Sequence, residues 1–238
     1  MIRTDRTLRR LALFCGLSAL IADAGVVQSA DPKDDFSRWE KSIAAFEKQK
    51  NVPQGGVLFV GSSSIRGWDL KESFPEFTTV NRGFGGSHVA DSVHFAHRLI
   101  FPHRPKVVVL YAGDNDISKG KTPQRVFTDF EKFVATIHAE LPQTRILFLP
   151  IKPSLKRWDL VGKMRDANRL IAKACQADTR LVSVNTFDVL LGKDGKPDPR
   201  FFREDGLHLN ADGYQTWTTV LKPQLHKQLK EFGRPSVR

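Results

Sequence analysis

The stretch that decides the fold is VLFVGSSS, residues 57–64. Four consecutive apolar residues are followed by a glycine and three serines. They lack the alternation of apolar and polar residues that marks a strand with one solvent-exposed face. Such a run is typical of a strand covered on both faces, as in a parallel sheet between helix layers. Similar runs lie at 107–111 and 146–149. The sequence therefore predicts an α/β protein built on a parallel sheet.

Helical patterns alternate with these runs along the chain. We expect five strands, at Val57–Val60, Thr78–Val80, Val107–Tyr111, Ile146–Leu149 and Leu181–Val184. Helical spacing of apolar residues predicts four helices, at Val89–Ile100, Pro123–Glu140, Leu160–Ala177 and Ala211–Leu229, and a further one from Phe36 to Phe46. Since no repeat or linker divides this pattern, we expect a single domain over residues 31–238.

The first 30 residues are expected to be a signal peptide. Four arginines in the first ten residues precede an apolar run, Leu11 to Ile21, that is too short to span a bilayer. Cleavage is expected between Ala24 and Asp31. The protein is then secreted or periplasmic without a stable membrane anchor; an uncleaved anchor is the alternative.

Charge and cysteine content argue against a nucleic-acid-binding protein, a disulfide-bonded protein and a cysteine metal site. The formal net charge is +11, but the basic residues are scattered and are not interleaved with aromatic ones, so no nucleic-acid groove is expected. Of the two cysteines, only Cys175 lies outside the predicted signal peptide, so no intramolecular disulfide is expected. Nothing has the cysteine spacing of a metal site, and none is predicted.

Four polar segments follow strands or precede the last helix, where the chemistry of an open α/β sheet gathers. They are Gly61–Ser64, Asn81–Ser87, Gly113–Asp116 and Asp205–His208. The serines offer a nucleophile, and the glycines and Asn115 offer donors to an oxyanion. Taken singly, each of the first three segments is equally an ordinary turn or helix cap.

The segment Asp205-Gly206-Leu207-His208 carries the strongest chemical signal. It places a carboxylate three residues before an imidazole, and a hydrolase that activates a serine needs a histidine base oriented by a carboxylate. The alternatives for this pair are a metal ligand set or a structural loop contact. His94 and His97, three apart on one predicted helix, are more simply a packed or solvated pair than a metal site.

Together the four segments resemble the SGNH hydrolase family, the GDSL-type esterases and acylhydrolases, over residues 55–230. Val60-Gly61-Ser62-Ser63 matches the first block, with Ser62 where the family has Asp, and puts the nucleophile on Ser63. Gly86 matches the second block. Gly113-Asp114-Asn115-Asp116 matches the third, with Asp114 at a position that is often Gly. Asp205 and His208 match the fifth.

The resemblance implies a flavodoxin-like three-layer α/β/α fold with a mostly parallel five-stranded sheet. It implies a serine esterase that needs no cofactor, with Ser63, His208 and Asp205 as catalytic residues. The backbone N–H groups of Ser63 and Gly86 and the Asn115 amide would form the oxyanion hole. The expected substrate is a small-molecule or polysaccharide ester, with acetyl groups on carbohydrate as one candidate. Alternatives are a lysophospholipase or thioesterase, and a non-catalytic carbohydrate-binding module.

Overall fold

The computed structural model describes residues 34–232, in which five parallel strands form one sheet between helix layers. The strands are β1 (Val57–Gly61), β2 (Thr79–Gly83), β3 (Val107–Tyr111), β4 (Arg145–Phe148) and β5 (Leu181–Ser183). Their spatial order, β2-β1-β3-β4-β5, is that of flavodoxin-like proteins. The predicted fold class is therefore confirmed.

Alternation along the strands divides the core into two apolar clusters, one on each face of the sheet. Leu58 and Val60 of β1 contact one cluster, while Val57 and Phe59 contact the other. The first face is covered by α1 (Glu40–Glu47), α4 (Val89–His94), α5 (Ala96–Leu99), α7 (Pro123–Glu140) and α8 (Val161–Ala177). The second is covered by α2 (Ser63–Arg66), α3 (Leu70–Ser73) and α9 (Ala211–Glu231).

Two sequence predictions need correction. The predicted helix Val89–Ile100 is two helices, because Phe95 leaves helical geometry (φ −94°, ψ 10°) and buries its ring edge-on against Phe36 and Phe84. Strand β2 runs three residues beyond its predicted end, since Asn81 and Arg82 satisfy their polar side chains inside the protein. Asn81 donates to the Ile65 carbonyl, and Arg82 donates to His103 and to a glutamine of the α1–β1 connection.

The sheet order positions the functional segments. β1 lies between β2 and β3, and Gly61 pairs with Gly83 on one side and Tyr111 on the other. The chain therefore leaves three adjacent strands at one edge, and the crevice there is the usual site of chemistry in such sheets. One further α-helix, α6 (Asp114–Ser118), begins directly after β3 at this edge.

The predicted signal peptide lies outside the described residues. Within residues 34–232, none of the helices combines the length and apolar character needed to cross a bilayer.

Candidate active site

The turn after β1 exposes one of the three serines. Gly61 adopts φ 130°, and a Cβ there would overlap the Tyr111 carbonyl oxygen, so the turn requires glycine. Ser62 donates its N–H to that same carbonyl (2.9 Å) and begins α2. The side chains of Ser62 and Ser64 are buried, whereas Ser63 is half-buried. Of the three hydroxyls, that of Ser63 is therefore the one presented to the crevice.

The loop before α9 brings His208 to this serine. His208 Nε2 lies 3.0 Å from Ser63 Oγ, and His208 Nδ1 lies 2.5 Å from Asp205 Oδ2. Asp205 Oδ1 also accepts the backbone N–H groups of Leu207 and His208, both at 2.9 Å. Burial acts to raise the pKa of Asp205, but these hydrogen bonds hold it well below its usual range. The carboxylate is therefore ionised and aimed at Nδ1.

Backbone geometry holds that loop in shape. Gly206 takes φ 62°, which a side chain would strain, and Arg203 donates its N–H to the His208 carbonyl at 2.8 Å. Asn210 then caps α9 by accepting the Gly213 N–H at 3.0 Å. The spacing of Asp205 and His208 in sequence is thus sufficient to form the pair, because the turn between them is closed by local hydrogen bonds.

The turns after β2 and β3 bring the predicted oxyanion donors to the same edge. The turn after β2 is tied to β1 by the Phe84 N–H, which donates to the Gly61 carbonyl at 2.8 Å, and it places Gly86 at φ 80°. Within residues 34–232, neither the Ser63 N–H nor the Gly86 N–H donates to another backbone group. Both are thus left for a ligand at this edge of the sheet.

Asn115 sits in the first turn of α6, after Gly113. Its Nδ2 donates to the Ser87 carbonyl at 3.1 Å, which uses one of the two amide hydrogens. Its Oδ1 accepts from the guanidinium of Arg157, with both nitrogens at 3.2 Å. One Nδ2 hydrogen therefore remains for an oxyanion.

The carboxylate of Asp114, which stands where the family often has Gly, is neutralised by two cations. Arg157 lies 3.1 Å and Lys152 3.5 Å from Asp114 Oδ2. Lys152 is almost fully buried and lies 3.3 Å from the Tyr111 hydroxyl. Sequence reasoning missed both cations. The available signal was the presence of three basic residues, Lys152, Lys156 and Arg157, in the segment after β4. Strand β4 pairs with β3, which the acidic turn follows.

His94 and three tryptophans make packing contacts outside this site. His94 stacks on Phe36 with ring centroids 4.0 Å apart, and Trp68 and Trp217 are buried in the core. Trp158 is half-buried, with the Arg165 guanidinium 5.9 Å from its ring centroid. Across the part of the chain that the structure describes, no group of three or more His, Cys, Asp or Glu is arranged to hold a metal ion.

Comparison with known proteins identifies the family. The family model described as GDSL-like lipase/acylhydrolase matches residues 55–216, which contain Ser63, Gly86, Asn115, Asp205 and His208. The chain belongs to the GDSL-like lipase/acylhydrolase family. As a member of this family, the protein is a carboxylic ester hydrolase. None of the curated proteins compared with it is a significant match.

Solved structures share the fold of this GDSL-like protein. A Streptococcus pneumonia protein named after platelet activating factor is 24% identical, with a TM-score of 0.71 over 79% of this chain and 93% of its own. A GDSL-like lipase from Bacteroides thetaiotaomicron is 19% identical, with a TM-score of 0.66 over 81% and 98%. An acetylxylan esterase from Geobacillus stearothermophilus is 14% identical, with a TM-score of 0.58 over 74% and 96%. At these identities the similarity concerns the fold.

Proposed function

We propose that this protein is an exported serine esterase that removes small acyl groups, acetyl above all, from carbohydrate esters. The observation that carries the proposal is the hydrogen-bonded line from Ser63 through His208 to Asp205, beside the free N–H donors of the neighbouring turns. A nucleophile, an oriented base and oxyanion donors are the parts that acyl transfer requires.

The mechanism follows from the atoms in place. Because Asp205 accepts from His208 Nδ1–H, Nε2 carries the lone pair and removes the proton from Ser63 Oγ. Oγ attacks the ester carbonyl, and the oxyanion receives hydrogen bonds from the N–H groups of Ser63 and Gly86 and from the Asn115 amide. The C–O bond to the alcohol breaks as Nε2 returns the proton to the leaving oxygen. Water then cleaves the acyl-enzyme by the same route.

Little apolar surface is exposed within residues 34–232 to bind a long acyl chain, which favours a short acyl group. A long acyl chain needs a continuous apolar groove, but Leu155 is the one large apolar side chain within residues 34–232 that is well exposed (42%). Carbohydrate as the alcohol is supported by the shared fold with an acetylxylan esterase. The alternative, a lysophospholipase or thioesterase of the same family, would require such a groove.

A fluorophosphonate probe tests the nucleophile. We expect the label on Ser63, located by fragmentation of the peptide that carries residues 62–64, and we expect Ser63→Ala to remove both label and hydrolysis. Ser62→Ala is the matched control, because that hydroxyl is buried without a hydrogen-bond partner among residues 34–232 and should be dispensable. A label on Ser62 or Ser64 would contradict the assignment.

A substrate panel tests the specificity. We expect kcat/KM on p-nitrophenyl esters to fall as the acyl chain lengthens from acetyl to dodecanoyl, and acetate to be released from acetylated xylo-oligosaccharides. A preference for octanoyl or longer chains would instead establish the lysophospholipase or thioesterase alternative.

Export rests on the basic start and short apolar run of residues 3–21. Intact-mass analysis of the protein recovered from the periplasm or medium of a bacterial host should show a chain that begins between residues 25 and 31. Recovery of the exported protein with residues 1–20 still attached would exclude this cleavage.

A further inference from the structure

The amide of Asn115 is held in one orientation by the groups around it. Its Oδ1 meets two guanidinium nitrogens of Arg157, which only donate, and its Nδ2 meets the Ser87 carbonyl, which only accepts. If the amide were flipped, its NH₂ group would face the donors of Arg157 and its oxygen would face the Ser87 carbonyl oxygen. Arg157 therefore determines which end of the amide faces the crevice.

Arg157 is itself fixed by the carboxylate next to Asn115. Its Nη1 lies 3.1 Å from Asp114 Oδ2, so one guanidinium links two consecutive residues of the turn after β3. Lys152 Nζ lies 3.5 Å from the same carboxylate oxygen. The arginine side chain is 16% exposed and the lysine 1%, so water competes little for these contacts.

The backbone that carries Arg157 also contacts the loop of the base. Arg157 lies in the short 3-10 segment Leu155–Leu160 and departs from helical geometry there (φ −125°, ψ 25°). In the same segment, the Lys156 N–H donates to the Gly206 carbonyl at 3.0 Å, between Asp205 and His208. One segment thus spans the oxyanion donor and the histidine loop.

We propose that Arg157 is a positioning residue for ester hydrolysis, which fixes the Asn115 amide with its free Nδ2–H toward the developing oxyanion. The proposal rests on the proposed function of this site. It also gives a role to the acidic residue at position 114: Asp114, where the family often has Gly, anchors the guanidinium that orients the neighbouring amide.

A double-mutant cycle tests whether Arg157 acts through Asn115. Arg157→Met should lower kcat on p-nitrophenyl acetate by about 10- to 100-fold with little change in KM, because misplacing a transition-state donor costs turnover. In the Asn115→Ala background the same substitution should cause less than a twofold further loss, since the group it positions is already absent. Arg165→Met is the matched control and should leave kcat unchanged, because Arg165 lies over Trp158 and Phe187.

A second set of variants tests whether a loss of stability, and not of positioning, lowers kcat. If Arg157→Met unfolds at a lower temperature, because Asp114 has lost a cation, the cycle is repeated with Asp114→Asn in every variant, which removes the stranded charge. An equal loss of kcat with and without the Asn115 side chain would overturn the proposal, as would a loss confined to KM. Failure of the proposed function is recognised separately, since the wild type would then show neither hydrolysis nor phosphonate labelling.

Discussion

The two sides of the site are built in contrasting ways. On the proposed acid–base side, His208 and Asp205 lie on a partly exposed loop, and the hydrogen bonds that join the two residues lie within four residues of sequence. The oxyanion side, Asn115 with Asp114, is held by the buried or nearly buried cations Lys152 and Arg157, about 40 residues away in sequence. A group that must gain and lose a proton remains near water, whereas a donor that must stay fixed is anchored in the protein interior.

The largest expected effect falls on the acid–base side. His208→Ala should lower kcat by about 10⁴- to 10⁶-fold, because Ser63 loses the base that accepts its proton. The free energy of unfolding should change by less than about 1 kcal/mol, since the imidazole is one-third exposed. Steady-state kinetics and urea unfolding of the same preparation measure both. Near-normal hydrolysis by a folded variant would eliminate His208 as the base.

The next effect separates orientation from charge at Asp205. Asp205→Asn should reduce kcat by about 10⁴-fold, the size of this change in a trypsin-like triad, because an amide can donate to Nδ1 and leave the proton on Nε2. Asp205→Ala should be milder, since water or a carbonyl can accept from Nδ1 in its place. Comparing kcat of the two variants shows whether Asp205 acts mainly by fixing the imidazole tautomer or mainly by its negative charge. A larger loss for Ala than for Asn would show that the negative charge matters more than the tautomer.

A smaller effect is expected on the oxyanion side. Asn115→Ala should lower kcat by about 10²- to 10³-fold with KM nearly unchanged, because the amide acts mainly in the transition state. The measurement is kcat and KM on p-nitrophenyl acetate, with circular dichroism to verify the fold. A change confined to KM would mean that Asn115 binds the ground-state ester, and the contrast between the two sides would then have to be drawn differently.

The same contrast explains what could be predicted from sequence. The apolar runs of β1 and β3 and the four loop segments are local patterns, and the structure brings Ser63, His208 and Asp205 into contact as those patterns imply. Arg157 and Lys152 could not be assigned, because their partner Asp114 is distant in sequence and becomes close only when β3 and β4 pair. The interruption of the predicted helix at Phe95 could not be predicted for a related reason, because it depends on how the Phe95 ring packs against residues outside that helix.

The last prediction concerns pH and the buried side of the site. His88 follows the Gly86 turn and is only 8% exposed; burial, with the charges of Lys121 and Arg38, lowers its pKa to about 4. An unfolded histidine binds its proton near pH 6.5. Between pH 6.5 and 4 the unfolded state therefore binds more protons than the folded state, so stability falls as the pH falls through this window. At 1.36 kcal/mol per pKa unit, the loss from this group reaches about 3 kcal/mol.

Substitution of that imidazole should flatten the acid limb of the stability curve. His88→Gln should lose less unfolding free energy than the wild type between pH 7 and pH 4, whatever its stability at pH 7, because glutamine takes up no proton. Urea unfolding at pH 7, 6, 5 and 4 measures the slopes of the variant and of the wild type. If His88→Gln ran parallel to the wild type, the imidazole would take up its proton at the same pH in the folded and unfolded states, and this side of the site would be open to water.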